Sequence, residues 1–128
     1  MRWLVDGMNV VGSRPDRWWR DRAGAARRLT AALQQLALES GEEITVVFEG
    51  EKFPALPSGR HGGVEVVYAR RHGPDAADDR IVELVAGDRE PAGLTVVTSD
   101  RDLVRRVTSL GARAVGARSL PLAGDATP

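Results

Sequence analysis

Four short apolar runs in this chain give way to carboxylates. Asp6 follows Trp3–Val5, Glu49 follows Ile44–Phe48, and Asp100 follows Leu94–Thr98; Asp78 and Asp79 come after Val64–Tyr68, at the start of a helical pattern. Crowded carboxylates raise one another's pKa and destabilise a fold unless a cation offsets them. Hard oxygen donors favour Mg²⁺ or Mn²⁺. Two such ions roughly 4 Å apart can activate water and steady the leaving oxygen of a phosphodiester. No nucleophilic side chain is then required. The chain contains no cysteine, which removes disulfides, zinc–thiolate sites and thiol nucleophiles.

Each acid has a structural alternative. Asp6 lies directly after an apolar strand, where a side chain points out at the rim, and reads as a metal ligand before a turn former. Asp78 and Asp100 read the same way against plain helix-start roles. Asp79 points about 100° round the helix from Asp78 and stays open between the two. Glu49 has the longer side chain and reaches further into such a site. Asn9 could orient substrate or hold the polar turn Asp6–Asn9. Ser99 or Thr98 could cap the following helix, Asp102 is balanced between site and surface, and Asp75 reads mainly as an N-cap. His61 and His72 fall in loops, where surface roles are expected instead of ligation.

The elements that must position these residues follow from periodicity. Residues 2–6, 44–48, 64–68, 94–98 and 112–115 read as strands, rich in β-branched residues and bounded by turn signals. Residues 21–39, 76–85 and 101–110 read as helices, the first and last stopped by Gly41 and Gly111. Glu49 to Gly63 is rich in glycine and proline and reads as an irregular loop. Strands alternating with helices predict one three-layer α/β/α domain over residues 1–120, with a mainly parallel sheet of about five strands. Residues 121–128 are expected to fray. A parallel sheet would gather all the strand-end acids on one rim, where ligands of such folds collect.

Charge leaves the partner open. The formal net charge is zero, yet 17 of the 18 basic residues are arginine. They cluster at Arg14, Arg17, Arg20 and Arg22, at Arg70–Arg71 and at Arg105–Arg106. Arginine suits bidentate phosphate contacts, but a G+C-rich genome inflates arginine and alanine alike. Trp18–Trp19 could stack on unpaired bases or pack the arginine-rich loop against the body. No apolar run approaches the roughly 20 residues that span a bilayer. The N-terminal residues lack the features of a signal peptide, so a cytoplasmic protein without membrane contact is expected.

The segment Leu4-Val5-Asp6-Gly7-Met8-Asn9-Val10 resembles the opening of the NYN domain, a branch of the PIN-like nucleases, in its YacP-like group. Those domains typically run from a strand into Asp-Gly-Tyr-Asn; Met8 stands here in place of the tyrosine. The resemblance continues at Val46–Lys52, where relatives usually carry aspartate at the position of Glu49. It continues again at Ala77–Val82, Val96–Arg101 and Gly116–Leu120, and so covers about residues 2–120. It implies a PIN-like fold and metal-dependent endoribonuclease activity on single-stranded RNA. By position, Asp6, Asp78 and Asp100 are the implied core acids, with Asn9 and Ser99 as supporting polar groups and Asp79 and Glu49 as further ligand candidates. The group is linked with the translation machinery, which the resemblance implies as a partner, and small PIN-like domains often pair, so a homodimer belongs to the expectations. The helical extension common after this point in the group is expected to be short or missing.

A metal-dependent endoribonuclease is therefore the leading expectation. Arg14, Arg17, Arg20, Lys52, Arg70, Arg71, Arg101 and Arg105 are candidates for an RNA backbone track. The alternative is a PIN-like module that binds RNA or the ribosome without cutting. A haloacid dehalogenase-like phosphohydrolase ranks lower, because that chemistry wants a second acid where Met8 stands. A Rossmann-type nucleotide binder lacks Gly-x-Gly-x-x-Gly after the first strand.

Overall fold

The computed structural model describes residues 2–14, 17–50, 52–70, 73, 75–120 and 122. Six strands run β1 (Arg2–Asp6), β2 (Glu43–Phe48), β3 (Gly59–His61), β4 (Val64–Tyr68), β5 (Leu94–Val97) and β6 (Arg113–Val115). Four helices, α1 (Gly7–Gly12), α2 (Arg22–Ser40), α3 (Ala76–Ala86) and α4 (Arg101–Ser109), connect them. The strands lie in the order β3-β4-β2-β1-β5-β6, all parallel except β3.

Because side chains alternate across a strand, each central strand feeds both faces of the sheet. Val5, Val46, Phe48 and Val97 join α1 and α2 in one core, with Leu29, Leu33 and Leu36. Leu4, Val47 and Val96 join α3 and α4 in the other, with Ile81, Val85, Leu103 and Val107. Burial on both faces is why these strands read as unbroken β-branched runs and not as alternating ones. Each fully buried Val or Leu contributes roughly 1.5–3 kcal/mol. The register Val5↔Val46 and Val5↔Val97 holds the ends of β2, β1 and β5 level, and so puts their following residues on one rim.

Three sequence expectations are corrected. The polar turn after β1 is the helix α1, whose Gly7, Met8, Val10 and Val11 are buried. Asp-Gly is strong turn chemistry, and six residues are too few to show a helical period. Gly7 makes the helix possible at this place: a Cβ there would meet the Phe48 ring at 2.6 Å and the Val47 carbonyl oxygen at 2.9 Å. Residues 49–63 are not wholly irregular, because Gly59–His61 adds a sixth, antiparallel strand that pairs Arg60 with Glu65. Gly62 and Gly63, with φ of 54° and 87°, form the two-residue turn that tight hairpins need. His61 accordingly lies in a strand and not a loop, its ring bonded to the Pro57 carbonyl at 2.6 Å.

The long helix ends as expected. Gly41 is left-handed and donates its N–H to the Ala37 carbonyl at 2.9 Å. The expected tail lies outside the described residues except for Leu122, which is buried in the α1–α2 core.

Candidate metal centre

Asp6 is the last residue of β1 and is only 5% exposed. It stands where the strand delivers its side chain to the rim and α1 closes over it. The Thr98 hydroxyl, itself buried just beyond β5, donates to Asp6 Oδ2 at 2.9 Å. The same Thr98 oxygen accepts from the Asp100 N–H at 3.2 Å. A single hydroxyl thus couples the first and fourth strand exits identified in the sequence.

Asp100 is the N-cap of α4: its Oδ1 accepts from the N–H groups of Asp102 at 2.9 Å and Leu103 at 3.2 Å. Neither Thr98 nor Ser99 caps that helix. Ser99 instead ties the rim together, donating its N–H to Asn9 Oδ1 at 2.9 Å and accepting from the Ala117 N–H at 2.9 Å. Asn9 therefore holds α1 to the β5–α4 loop while also lining the acid pocket.

That pocket, of about 370 Å³, is lined by Asp6, Glu49, Asp75, Asp78 and Asp100 with Met8, Asn9, Trp18 and Arg22. Four of the acids are those marked at strand exits in the sequence. The fifth corrects an expectation: Asp75 sits at the N-terminal boundary of α3 with a left-handed φ of 63°, and its carboxylate makes no capping bond. Asp79 does not join the pocket lining; its Oδ1 accepts from Arg106 at 3.1 Å. Asp102 is exposed and pairs with Arg105 one turn along α4 at 2.6 Å.

The electrostatics follow from this crowding. Burial pushes the Asp6 carboxyl up to about 7, opposed by the Thr98 hydrogen bond and reinforced by Asp78, Glu49 and Asp100. Asp78 is pushed up to about 6, first by burial and then by Asp100, Asp75 and Glu49, while Arg106 pulls the other way. Five carboxylates thus face one guanidinium across the lining, and that guanidinium, Arg22, lies 5.6 Å over the Trp18 ring. A set of hard oxygens with surplus negative charge fits Mg²⁺ or Mn²⁺. Among the described residues no three His, Asp or Glu side chains stand close enough together to form a metal-binding group by themselves.

The expected RNA track divides into separate groups. Arg17 and Arg20 are exposed on the turn that carries Trp18, and of that turn Trp18 alone lines the acid pocket. Lys52, over the Tyr68 ring, and Arg70, 3.8 Å from Glu83, line a different cleft along β4. Arg101 and Arg105 are exposed on α4, Arg14 is half-buried after α1, and Arg71 and His72 lie outside the described residues. The sequence reading missed Arg22 and Met8 as lining residues. The spacing of Trp18 and Arg22 could have suggested that they meet, but the 3-10 turn at Trp18–Arg20 was not foreseen.

Comparisons with known proteins agree with the fold. A family model described as "YacP-like NYN domain" matches residues 3–125. A UPF0178 protein of Xanthomonas oryzae pv. oryzae strain PXO99A is 35% identical over 113 residues, which is 88% of this chain and 63% of that protein. The chain thus spans under two thirds of the length of the curated relatives it matches. The crystal structure of Rae1 (YacP) from Bacillus subtilis superposes with a TM-score of 0.72 at 25% identity, covering 92% of this chain and 70% of that one. Its W164L mutant gives 0.70 at 24% identity with the same coverage. The chain belongs to the YacP-like NYN domain family, within the PIN-like nuclease class.

Proposed function

We propose that this chain is a divalent-metal-dependent endoribonuclease that hydrolyses single-stranded RNA. The observation that carries the reading is the acid pocket: Asp6, Asp78, Asp100 and Glu49 share one cavity, and burial and mutual repulsion hold Asp6 and Asp78 above the ordinary carboxylate range. Asp6, Asp78 and Asp100 would hold the cation, with Glu49 reaching in from the end of β2. Bound there, Mg²⁺ or Mn²⁺ would supply positive charge to the scissile phosphate and make the attacking water more acidic. Thr98 fixes the Asp6 carboxylate through its hydroxyl, and the Asn9–Ser99 bond keeps α1 and the β5–α4 loop in register around it. Arg17, Arg20 and Arg22 bring positive charge to the lip for the flanking phosphates, which governs affinity and salt dependence more than sequence choice.

The family likeness supports RNA as the substrate and the translation machinery as its setting. A second reading, a module that binds RNA or the ribosome without cutting it, is favoured by the acids not standing close enough together to form a metal-binding group by themselves and by Glu49 standing where relatives usually carry aspartate. One experiment separates the two. Incubating a mixed single-stranded RNA pool with wild type, Asp6→Asn and Asp100→Asn, each with Mg²⁺, Mn²⁺ or chelator, should give cleavage only by wild type with metal. Intact RNA in every metal, with binding indifferent to chelator, would establish the binding module.

A further inference from the structure

The loop between α1 and α2 brings Trp18 into the lining of the acid pocket with Trp19 against it, and the structure separates their roles. Trp18 is partly buried: it packs against the α1–α2 core, its indole lies beside Gly12, and it lines the acid pocket. The Arg22 guanidinium sits over its ring at 5.6 Å, so one face is already in use. Trp19 is different. It meets Trp18 edge to face, with centroids 6.2 Å apart and planes at 86°, and is otherwise 60% exposed. Edge-to-face contact fixes the orientation of a ring over a small area, and most of Trp19 stays open to solvent.

Two further features favour a nucleic-acid occupant. Arg17, which begins this turn, has a φ of 57°, a left-handed conformation uncommon outside glycine. Such backbone outliers persist where the surroundings over-determine them and cluster at ligand clamps. Arg17 and Arg20 are both exposed beside the rings. Exposed aromatics among arginines are the pattern that stacks unpaired bases while the cations track phosphates. Trp18 packs the loop against the core, whereas Trp19 touches the body through Trp18 and is mostly exposed.

We propose that Trp19 stacks on an unpaired nucleobase next to the scissile phosphate, with Trp18 and Arg22 as the support that holds its ring. The proposal rests on the reading of the acid pocket as a phosphodiester site, and it makes stacking at Trp19 the reason that single strands are selected over duplexes. A paired base is already stacked within its helix and cannot offer its face to the ring.

The test is equilibrium binding by the full chain, in chelator so that nothing is cut. The probes are a short labelled single-stranded RNA, the same strand with one abasic position, and the matched duplex. Trp19→Ala should weaken single-strand binding between about 5- and 150-fold, the range given by ~1–3 kcal/mol per stacked base. Trp19→Phe should keep most of the affinity, duplex binding should not change, and the abasic strand should bind wild type less well. Because Trp19 is exposed, thermal melts of these variants should match wild type, which keeps folding out of the result. Unchanged single-strand binding in Trp19→Ala, an equal loss on strand and duplex, or no preference of wild type for the single strand each overturns the proposal. The first of these outcomes would leave the ring as a contact for another surface, such as a protein. Cleavage that persists with Trp19-independent binding removes this proposal alone, whereas Trp19-dependent binding without cleavage in any metal removes the nuclease reading alone.

Discussion

The hydroxyl of Thr98 donates to Asp6 Oδ2 at 2.9 Å and accepts from the Asp100 N–H at 3.2 Å, so one side chain joins two acids that are 94 residues apart in sequence. Both interactions matter to the charged pocket. The hydrogen bond to Asp6 stabilises its ionised form, against burial and three neighbouring carboxylates. The bond from Asp100 sets the start of α4.

Replacing Thr98 with valine keeps the volume and removes the hydroxyl. Asp6 then loses the interaction that lowers its pKa, so a cleavage profile should move its acidic limb to higher pH. The loss of a hydrogen bond to a charged, buried group should cost about 1.5–3 kcal/mol of stability. The pH–rate profile of Thr98→Val decides the first point; an unmoved acidic limb would show that Asp6 does not titrate in the reaction.

The same acids predict an unusual dependence of stability on pH without metal. Asp6 titrates near 3.8 when unfolded and near 7 when folded. Between those values the folded state binds more protons than the unfolded one, so stability falls as pH rises through the window. A span of about three pH units corresponds to ~4 kcal/mol. Asp78 adds the same sign up to about pH 6. In chelator, the urea midpoint should therefore drop from pH 5 to pH 8, and Asp6→Asn should flatten much of that slope. Millimolar Mg²⁺ or Mn²⁺ should restore the midpoint at pH 8, because a ligand bound only by the folded state stabilises it. A chelated wild type whose midpoint is level across this range would contradict the burial of Asp6.

Asp100 serves the pocket and the helix at once, and two substitutions can separate these roles. Asparagine still accepts the Asp102 and Leu103 N–H groups, so Asp100→Asn should keep the cap while lowering pocket charge. Alanine loses both, with a cap cost of about 0.5–2 kcal/mol. Cleavage should fall at least 100-fold in either variant, but only Asp100→Ala should lose clear stability by urea unfolding. Equal stability of the two would mean that α4 does not depend on this cap.

Much of the pocket was legible because its acids follow apolar runs, and those runs are the buried parallel strands themselves. Asp6, Glu49, Asp78 and Asp100 meet because three of the strand exits are level and α3 begins nearby. What stayed hidden depends on contacts between distant segments. Asp79 is bound by Arg106 on α4, which no spacing near residue 79 reveals. Asp75 looked like a cap by position, yet its left-handed backbone leaves the capping role unused. Strand β3 carries no periodic signal in Gly-Arg-His and exists through its pairing with β4.

Gly7 shows how tightly the pocket is built from below. The helix α1 begins one residue after Asp6, and that is possible only because nothing projects from Gly7 toward β2. A methyl group there would stand 2.6 Å from the Phe48 ring and 2.9 Å from the Val47 carbonyl oxygen. Phe48 is fully buried, and the carbonyl belongs to a strand paired on both sides, so neither can yield without moving the sheet. Gly7→Ala should therefore lose roughly 1–3 kcal/mol despite alanine's better helix propensity, with overpacking as the cause. Its larger effect should be on the site, because shifting α1 moves Asn9 away from the Ser99 N–H. The measurements are a urea melt and Mn²⁺-dependent cleavage of the same preparation. A variant as stable and as active as wild type would show that α1 does not pack against Phe48 as described.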